Sequence, residues 1–340
     1  MKTNFSALRS IVIVGALLFP LNLLAQNDVG DLFKSSPQNA TKLVDAYFKP
    51  LFKGTGQGFA TGWNNSAKAQ GLLRFELRVT GTLALVPDED KFYNTNTLGL
   101  SNIRPAAGSN GIGPSVFGGS GSGSKMEFYT SGGTATGKTF NLPNASGFRP
   151  APAAQLQLTV GLPKHIDVSL RAIPSVTFGD HTIGQFGVGA KIELLPLFMG
   201  KVEKVMPIDI AVAGGFTNTN YKIKLDVNNG KYTDQRAELK FKGFSTEAII
   251  SKKIAFFTPF ASVGYISSNS GLNAYGTYEF ETEGASTTLT DPIAIKHDDV
   301  SAFQGSIGFQ VKLGFLRVYG AYTQSKYSSF NGGLGVGFGK

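Results

Sequence analysis

The 340-residue sequence contains no cysteine. That excludes a disulfide scaffold, a thiolate zinc site, an iron–sulfur cluster and a lipid-modified N-terminal cysteine. Charge is also scarce. Asp, Glu, Lys and Arg make up 16% of the chain, against about 25% in ordinary soluble domains. Tryptophan occurs once and histidine three times. No run of 18 apolar residues follows the first 25 positions, which excludes a bundle of membrane helices. The formal charge of +9 comes from lysines and arginines scattered along the chain, so nucleic acid is not an expected partner. What the chain has in abundance is glycine, 43 residues, with 27 Phe and 11 Tyr. With a mean hydropathy near zero, that mixture suits alternating strands.

Residues 1–25 read as a signal peptide. Lys2 and Arg9 precede an apolar stretch from Ile11 to Leu24, and Ala25 before Gln26 offers a cleavage point. Pro20 and Asn22 interrupt the stretch short of the ~20 residues needed to span a bilayer. An exported chain with no second apolar segment is soluble, surface-bound or a closed barrel.

Residues 26–70 form a segment of their own. Ser36 and Pro37 make a helix start. Leu43, Val44, Tyr47, Phe48, Leu51 and Phe52 then recur at helical spacing, with Lys42, Asp45 and Lys49 on the other side. Pro50 bends or ends the helix, and Gly54, Gly56 and Gly58 finish it. An aromatic stripe of this size has to be covered, so the segment is expected to plug a barrel lumen or to cap its periplasmic rim.

From about residue 71 the apolar period becomes two, and the region 71–340 is expected to be the barrel. Leu77, Val79 and Leu83 alternate with polar residues, as do Val188, Ala190 and Ile192, then Ile307, Phe309 and Val311, and finally Leu334, Val336 and Phe338. The lengths of the strands, the charges and glycines on the polar face, and aromatics near strand ends favour a membrane barrel over a soluble sandwich. The expected fold is all-β, a transmembrane antiparallel β-barrel of about ten strands (ten to fourteen) with an N-terminal amphipathic helix. Long external loops are expected near 87–152 and 269–299, opposite tight turns at 163–165, 252–255 and 314–315. The inward-facing set is expected to include Arg74, Glu76, Arg78, Asp167, Arg171, Lys191, Glu193, Asp209, Lys312 and Arg317. Such charges either select solutes or pair and close the lumen.

Gly333, Val336 and Phe338 resemble the C-terminal assembly signal of outer-membrane barrels, with Gly339 and Lys340 added after the last aromatic. The whole mature chain looks like a Gram-negative outer-membrane β-barrel. That resemblance implies outer-membrane lipid, lipopolysaccharide and the barrel assembly machinery as partners, and the cell outer membrane as the destination. The stretches "LVDAYFKPLFKGTGQGFATGWNNSAKAQ" and "RFELRVTGTLALVPDEDKFYN" resemble a family catalogued only as a domain of unknown function. A looser similarity is to the long-chain fatty-acid channels, which also place an N-terminal plug before the barrel; no binding residue is carried over from them.

Signals for chemistry are weak. "GGTATGKT" at 132–139 matches a phosphate-binding loop, but Pro143, Gly147 and Pro150 follow where a helix would have to run, so Lys138 is read as a loop charge. His297 beside Asp298 and Asp299 is a formal hydrolytic pair without an identifiable nucleophile. Asp88, Glu89 and Asp90 are an acidic loop run. No enzyme, cofactor or metal is expected. Two functional classes remain: a gated conduit for a small or amphipathic solute, and a non-conducting structural or partner-binding barrel that acts through its external loops.

Overall fold

A computed structural model of the chain describes Leu32 and residues 35–199, 207–226, 230–282 and 285–338. The expected signal peptide at 1–25 lies outside the described residues. Ten strands carry the fold: β1 (Phe75–Ala84), β2 (Ala151–Leu162), β3 (Ile166–Phe178), β4 (His181–Glu193), β5 (Asp209–Lys224), β6 (Arg236–Ser251), β7 (Phe257–Tyr275), β8 (Ile293–Leu313), β9 (Leu316–Gln324) and β10 (Ser329–Phe338). Each pairs antiparallel with its neighbour in sequence, and β1 pairs with β10 to close the barrel. Phe75 marks the seam, opposite Phe338 on one side and Val160 on the other.

Through most of the wall the polarity is that of a membrane barrel. Ile307, Phe309, Leu313, Val188, Leu334 and Val263 point outward and are exposed, while Thr80, Gln155, Gln157, Ser169, Thr217 and Gln310 are buried inside. Two aromatic belts bound this apolar band. At one edge Phe75 packs on Phe338 with ring centroids 5.3 Å apart, and Phe257 packs on Phe309 at 5.9 Å. At the other edge Phe216 pairs with Phe244, Tyr265 meets Phe303 at 5.9 Å, and Tyr322 meets Phe330 at 5.2 Å.

Beyond the second belt the same strands turn their polarity over. On β6 the outward residues Phe244, Thr246, Ala248 and Ile250 give way to Lys242, Lys240, Glu238 and Arg236. The inward residues change from Ser251, Glu247 and Ser245 to Phe241, Leu239 and Ala237. On β8 residues 293–302 likewise stand above the band, with Lys296 and Asp298 outward and Ile293 and Ile295 buried inward. A bulge between Ser268 and Asn269 accommodates the switch. The barrel therefore ends in a wall with the polarity of a soluble protein, apolar inside and wet outside.

This inversion corrects the expected loop at 269–299. β7 runs on to Tyr275 and β8 starts at Ile293, and a hairpin of Thr277–Thr282 with Ala285–Thr290 joins them. The 85–150 connection holds hairpins of its own, but they do not enter the wall. Phe92–Asn94 pairs with Ile112–Pro114, and Lys125–Tyr129 pairs with both Ile103–Pro105 and Ala135–Asn141. These small sheets cap the long-loop end, which also carries two short connections, Gly179–Asp180 and 325–328. At the short-turn end Lys164 and His165 both adopt the left-handed region in the turn from β2 to β3.

The band assignment predicts a position-dependent cost. Ile307→Lys, in the middle of the band, should destabilise the folded barrel by about 2–4 kcal/mol in lipid vesicles. Ala294→Lys, above the belt on the same strand, should change it by less than ~0.5 kcal/mol, as expected of a surface substitution. Denaturant unfolding read by circular dichroism measures both, and equal costs would contradict the band.

Candidate functional site

The lumen is filled by the chain's own N-terminal segment. Helix α1 (Pro37–Pro50) begins at Ser36, whose hydroxyl accepts from the Asn39 amide, with Pro37 in the first turn. Because Pro50 has no N–H, the helix passes into a π turn, Leu51–Thr55, and then into the short helix α2 (Gly56–Ala60). Leu43, Val44, Tyr47, Phe48, Leu51 and Phe52 are all buried. They share one apolar core with Val116, Phe117, Met126 and Phe140 of the cap and with Tyr221, Leu239, Phe241, Leu272 and Ile295 of the inverted wall. The helix thus lies inside the long-loop mouth, and the alternative pose on the short-turn rim does not occur. Burial explains why: among the described residues the inverted wall offers the largest apolar inner face for that stripe.

Below α2 the environment becomes polar, and a strap of residues 61–70 runs along the lumen to β1. Arg171, fully buried, donates to the carbonyls of Phe59 and Thr61 at 2.9 Å each and to Gln157 at 3.0 Å. Arg78 donates to the carbonyls of Gly62 and Trp63. Both cations therefore sit at the C-terminal end of α2, where unpaired carbonyls gather negative potential. The Arg171 guanidinium also stacks on Trp63, 3.6 Å from the ring centroid. On its far side the indole lies against Gly189 and Gly215, where a methyl group on either would collide with it. The only tryptophan of the chain thus spans the middle of the lumen.

The remaining inward charges grip the strap. Glu193 accepts from Lys68 at 2.7 Å and from the Ala69 amide at 3.0 Å. Asp167 accepts from the Gln70 amide at 2.8 Å and pairs with Lys191 at 3.0 Å. Lys191 in turn donates to the carbonyls of Ser66 and Lys68. Glu76 takes Arg317, Tyr319 and Gln70, and Asp209 lies 3.4 Å from Lys68. Lys312 lines the same space, whose free volume of about 30 Å³ is on the scale of a water molecule. Arg74 is the exception among the expected lining residues. It precedes β1 and is exposed at the rim, because the chain turns at Leu72–Leu73 and the strand starts only at Phe75.

Above the strap, between α1 and the wall, lies a cavity of about 520 Å³. Plug residues Lys42, Asp45, Lys49, Phe52 and Lys53 line one side, and Asp90, Phe92, Tyr93, His297 and Asp299 line the other. His297 engages Asp45 of the helix at 2.7 Å; its sequence neighbour Asp298 points outward and is hydrogen-bonded to Asn269. Asp90, from the acidic run, is buried and takes Lys49 at 2.6 Å, Lys53 at 3.1 Å and the Tyr327 hydroxyl at 2.6 Å. Burial alone would raise its pKa, but these three donors overcome it and hold the carboxyl below its ordinary value. Asp299, on the part of β8 above the band, behaves oppositely. Burial pushes it up to about 6, only partly offset by Ser270, His297 and Lys53. The sequence offers Asp90 only as part of an acidic run and Asp299 only as a neighbour of His297, and for Trp63 its sole signal is a lone tryptophan in "TGWNNS".

Elsewhere, Lys138 sits on an exposed strand of the cap hairpin, with no helix after it to complete a phosphate loop. His165 lies 3.8 Å from Glu193 at the short-turn end, and His181 stacks on Tyr221 at the other. Among the described residues no group of three or more His, Asp or Glu is placed to hold a metal.

The description "Family of unknown function (DUF6588)" matches residues 1–338. No curated protein matches the chain in sequence. Among solved structures, Ail, the attachment invasion locus protein of Yersinia pestis, is 10% identical over 78% of this chain and 97% of its own, with a TM-score of 0.25. The outer membrane protease OmpT from Escherichia coli is 10% identical over 78% and 95%, with a TM-score of 0.31. The toluene transporter TodX of P. putida is 10% identical over 80% and 68%, with a TM-score of 0.28. These likenesses are too low to transfer a role.

The two carboxylates predict opposite pH behaviour. Asp90, with a lowered pKa, stabilises the plug fully above its unfolded value of about 4, and that contribution disappears as the pH falls through its folded value. Asp299, with a raised pKa, costs nothing at low pH and weakens the plug as the pH climbs from about 4 to 6. Asp90→Asn should therefore destabilise near pH 7.5, whereas Asp299→Asn should stabilise by about 2 kcal/mol there and by little near pH 4. Thermal melts followed by Trp63 fluorescence report on the plug directly.

Proposed function

The chain belongs to the family of unknown function DUF6588, and we propose that it is an outer-membrane barrel whose N-terminal segment gates a conduit for a small, amphipathic solute. In this reading the long-loop end faces outside, and the 520 Å³ cavity is where a solute first meets the gate. One observation carries the proposal. The cavity is lined jointly by the plug, the cap and the wall, and its ionic contacts, His297 of the wall with Asp45 and Asp90 of the cap with Lys49 and Lys53, are among the contacts that hold the plug in place. A ligand with charged and apolar parts competes for those partners and loosens the helix.

The strap below supports the same reading. Its seat is made of ion pairs and hydrogen bonds, whose formation in a dry lumen is offset by desolvation. Flooding the lumen returns those groups to water, so the open and closed states differ by less than an apolar seat would impose. The outer membrane supplies lipid and lipopolysaccharide around the band, and the strand from Gly333 to Phe338 offers the barrel assembly machinery its signal. His297 serves here as a latch residue, not as half of a hydrolytic pair.

A tether tests the gate. A Cβ on Gly56 would stand 3.5 Å from that of Ser268 on β7, so Gly56→Cys with Ser268→Cys places a disulfide between plug and wall in a chain free of other cysteines. Oxidation should abolish uptake of small amphipathic compounds into cells, and reduction should restore it. Uptake at background in both states would reject the conduit and leave a binding barrel, for which the sheet-built cap over residues 85–150 is the platform. Orientation is checked separately: Ser122→Cys, in that cap, should react with an impermeant thiol reagent on whole cells.

A further inference from the structure

The outer face of β5–β8 changes chemistry abruptly at the upper aromatic belt. Above Phe216 and Phe244 stand Lys242, then Lys240 and Lys296, and beyond them Lys222, all exposed. The strand register places Lys240 and Lys296 on either side of Gly271. With strands about 4.8 Å apart, the two stems rise about 10 Å from each other with no side chain between them. Lys222 is already paired with Glu238 at 3.1 Å, and Asp298 is hydrogen-bonded to Asn269. Lys240, Lys242 and Lys296 have no ion pair or hydrogen bond among the described residues. Three ammonium groups with no partner among the described residues thus cluster above the belt, Lys242 one outward position beyond Phe244 and Lys240 and Lys296 one position further out.

Below the belt, on the same outer surface, a groove of about 480 Å³ crosses β4–β7. Ala190, Gly214, Thr246 and Ala248 form its floor and Ile192 and Val212 its apolar side. Along the outward face of β6, Lys242, Phe244, Thr246 and Ala248 follow one another, so about 17 Å separate the first lysine from the middle of the groove. A cationic notch above an apolar groove, at a bilayer boundary, is complementary to one kind of molecule: a lipid with phosphate on its headgroup.

We infer that this strip is a specific site for a phosphorylated glycolipid of the outer leaflet. Its phosphates sit on Lys240, Lys242 and Lys296, and one acyl chain lies in the groove beside Thr246 and Ala248. The site rests on the outer-membrane placement proposed above but not on conduction. It lies on the wall strands that enclose the plug, since β5–β8 also supply Tyr221, Leu239, Leu272 and Ile295 to the core around α1.

The test is a titration of the detergent-solubilised full chain with diphosphoryl lipid A. Replacing Lys240, Lys242 and Lys296 together by Gln should weaken binding by about fivefold per lysine. Monophosphoryl lipid A should bind more weakly to the wild-type chain, and the triple Lys→Arg variant should retain binding. Ala248→Phe, which fills the groove, should weaken binding without altering its salt dependence, and Lys138→Gln, on the cap, should change nothing. Equal binding by wild type and the Gln variant, or an equal loss from Lys138→Gln, overturns the headgroup site. Undiminished binding by Ala248→Phe overturns the acyl groove. Each variant's fold is verified by its unboiled gel mobility. Because binding is read in detergent, a failure here leaves the orientation test at Ser122 and the tether test untouched.

Discussion

A barrel that shows its apolar side chains to lipid has only the lumen in which to put its polar ones. Everything else in this structure follows from how that lumen is dealt with. Ten strands enclose too little space for a broad water-filled channel, and the inward set, Glu76, Arg78, Asp167, Arg171, Lys191, Glu193 and Arg317, is too charged to be left dry and unpaired. The chain solves both problems with its own residues 61–70. The backbone carbonyls and amides of that strap satisfy the wall charges, and the wall charges satisfy a backbone that has no regular secondary structure of its own.

The plug is held in two chemically distinct ways along its length. Around α1 the contacts are apolar and shared with the cap and the inverted wall, so the helix is anchored as a helix in a soluble core would be. Around the strap they are polar, directional and exchangeable with water. The cavity with Asp90, His297 and Asp299 lies beside α1, within the firmer of the two grips. A change there acts on the polar contacts of an otherwise apolar seat.

Much of this was legible in the sequence. Alternation in β1, β4, β8 and β10 identified the barrel and put its strands at ten to fourteen, of which the wall has ten. The stripe from Leu43 to Phe52 announced a helix that had to be covered. Reading failed where polarity inverts. In "NSGLNAY" and "IAIKHDD" the outward residues are Asn, Gly, Lys and Asp, so the segments look like loop although Leu272, Ala274, Ile293 and Ile295 make a regular inner face. Arg74 was misplaced because alternation says which face a residue takes but not where a strand begins. The strap was invisible for another reason: Trp63, Lys68 and Gln70 have no period, and Arg171, Glu193 and Asp167, which hold them, lie more than ninety residues away.

The position of the seam has a consequence for how the molecule is made. β1 and β10 meet only when the first and last strands of the wall are both present, yet residues 37–70 already lie inside the ring that this meeting completes. Threading a helix with its aromatic stripe through a finished barrel would require it to pass the inward charges of Asp167, Arg171, Lys191 and Glu193. The economical order is the reverse, with the wall wrapping around a segment that is already in place. On that order the strap is a template as well as a stopper: each wall charge that finds its carbonyl or amide sets the register of its strand before the last clasp shuts.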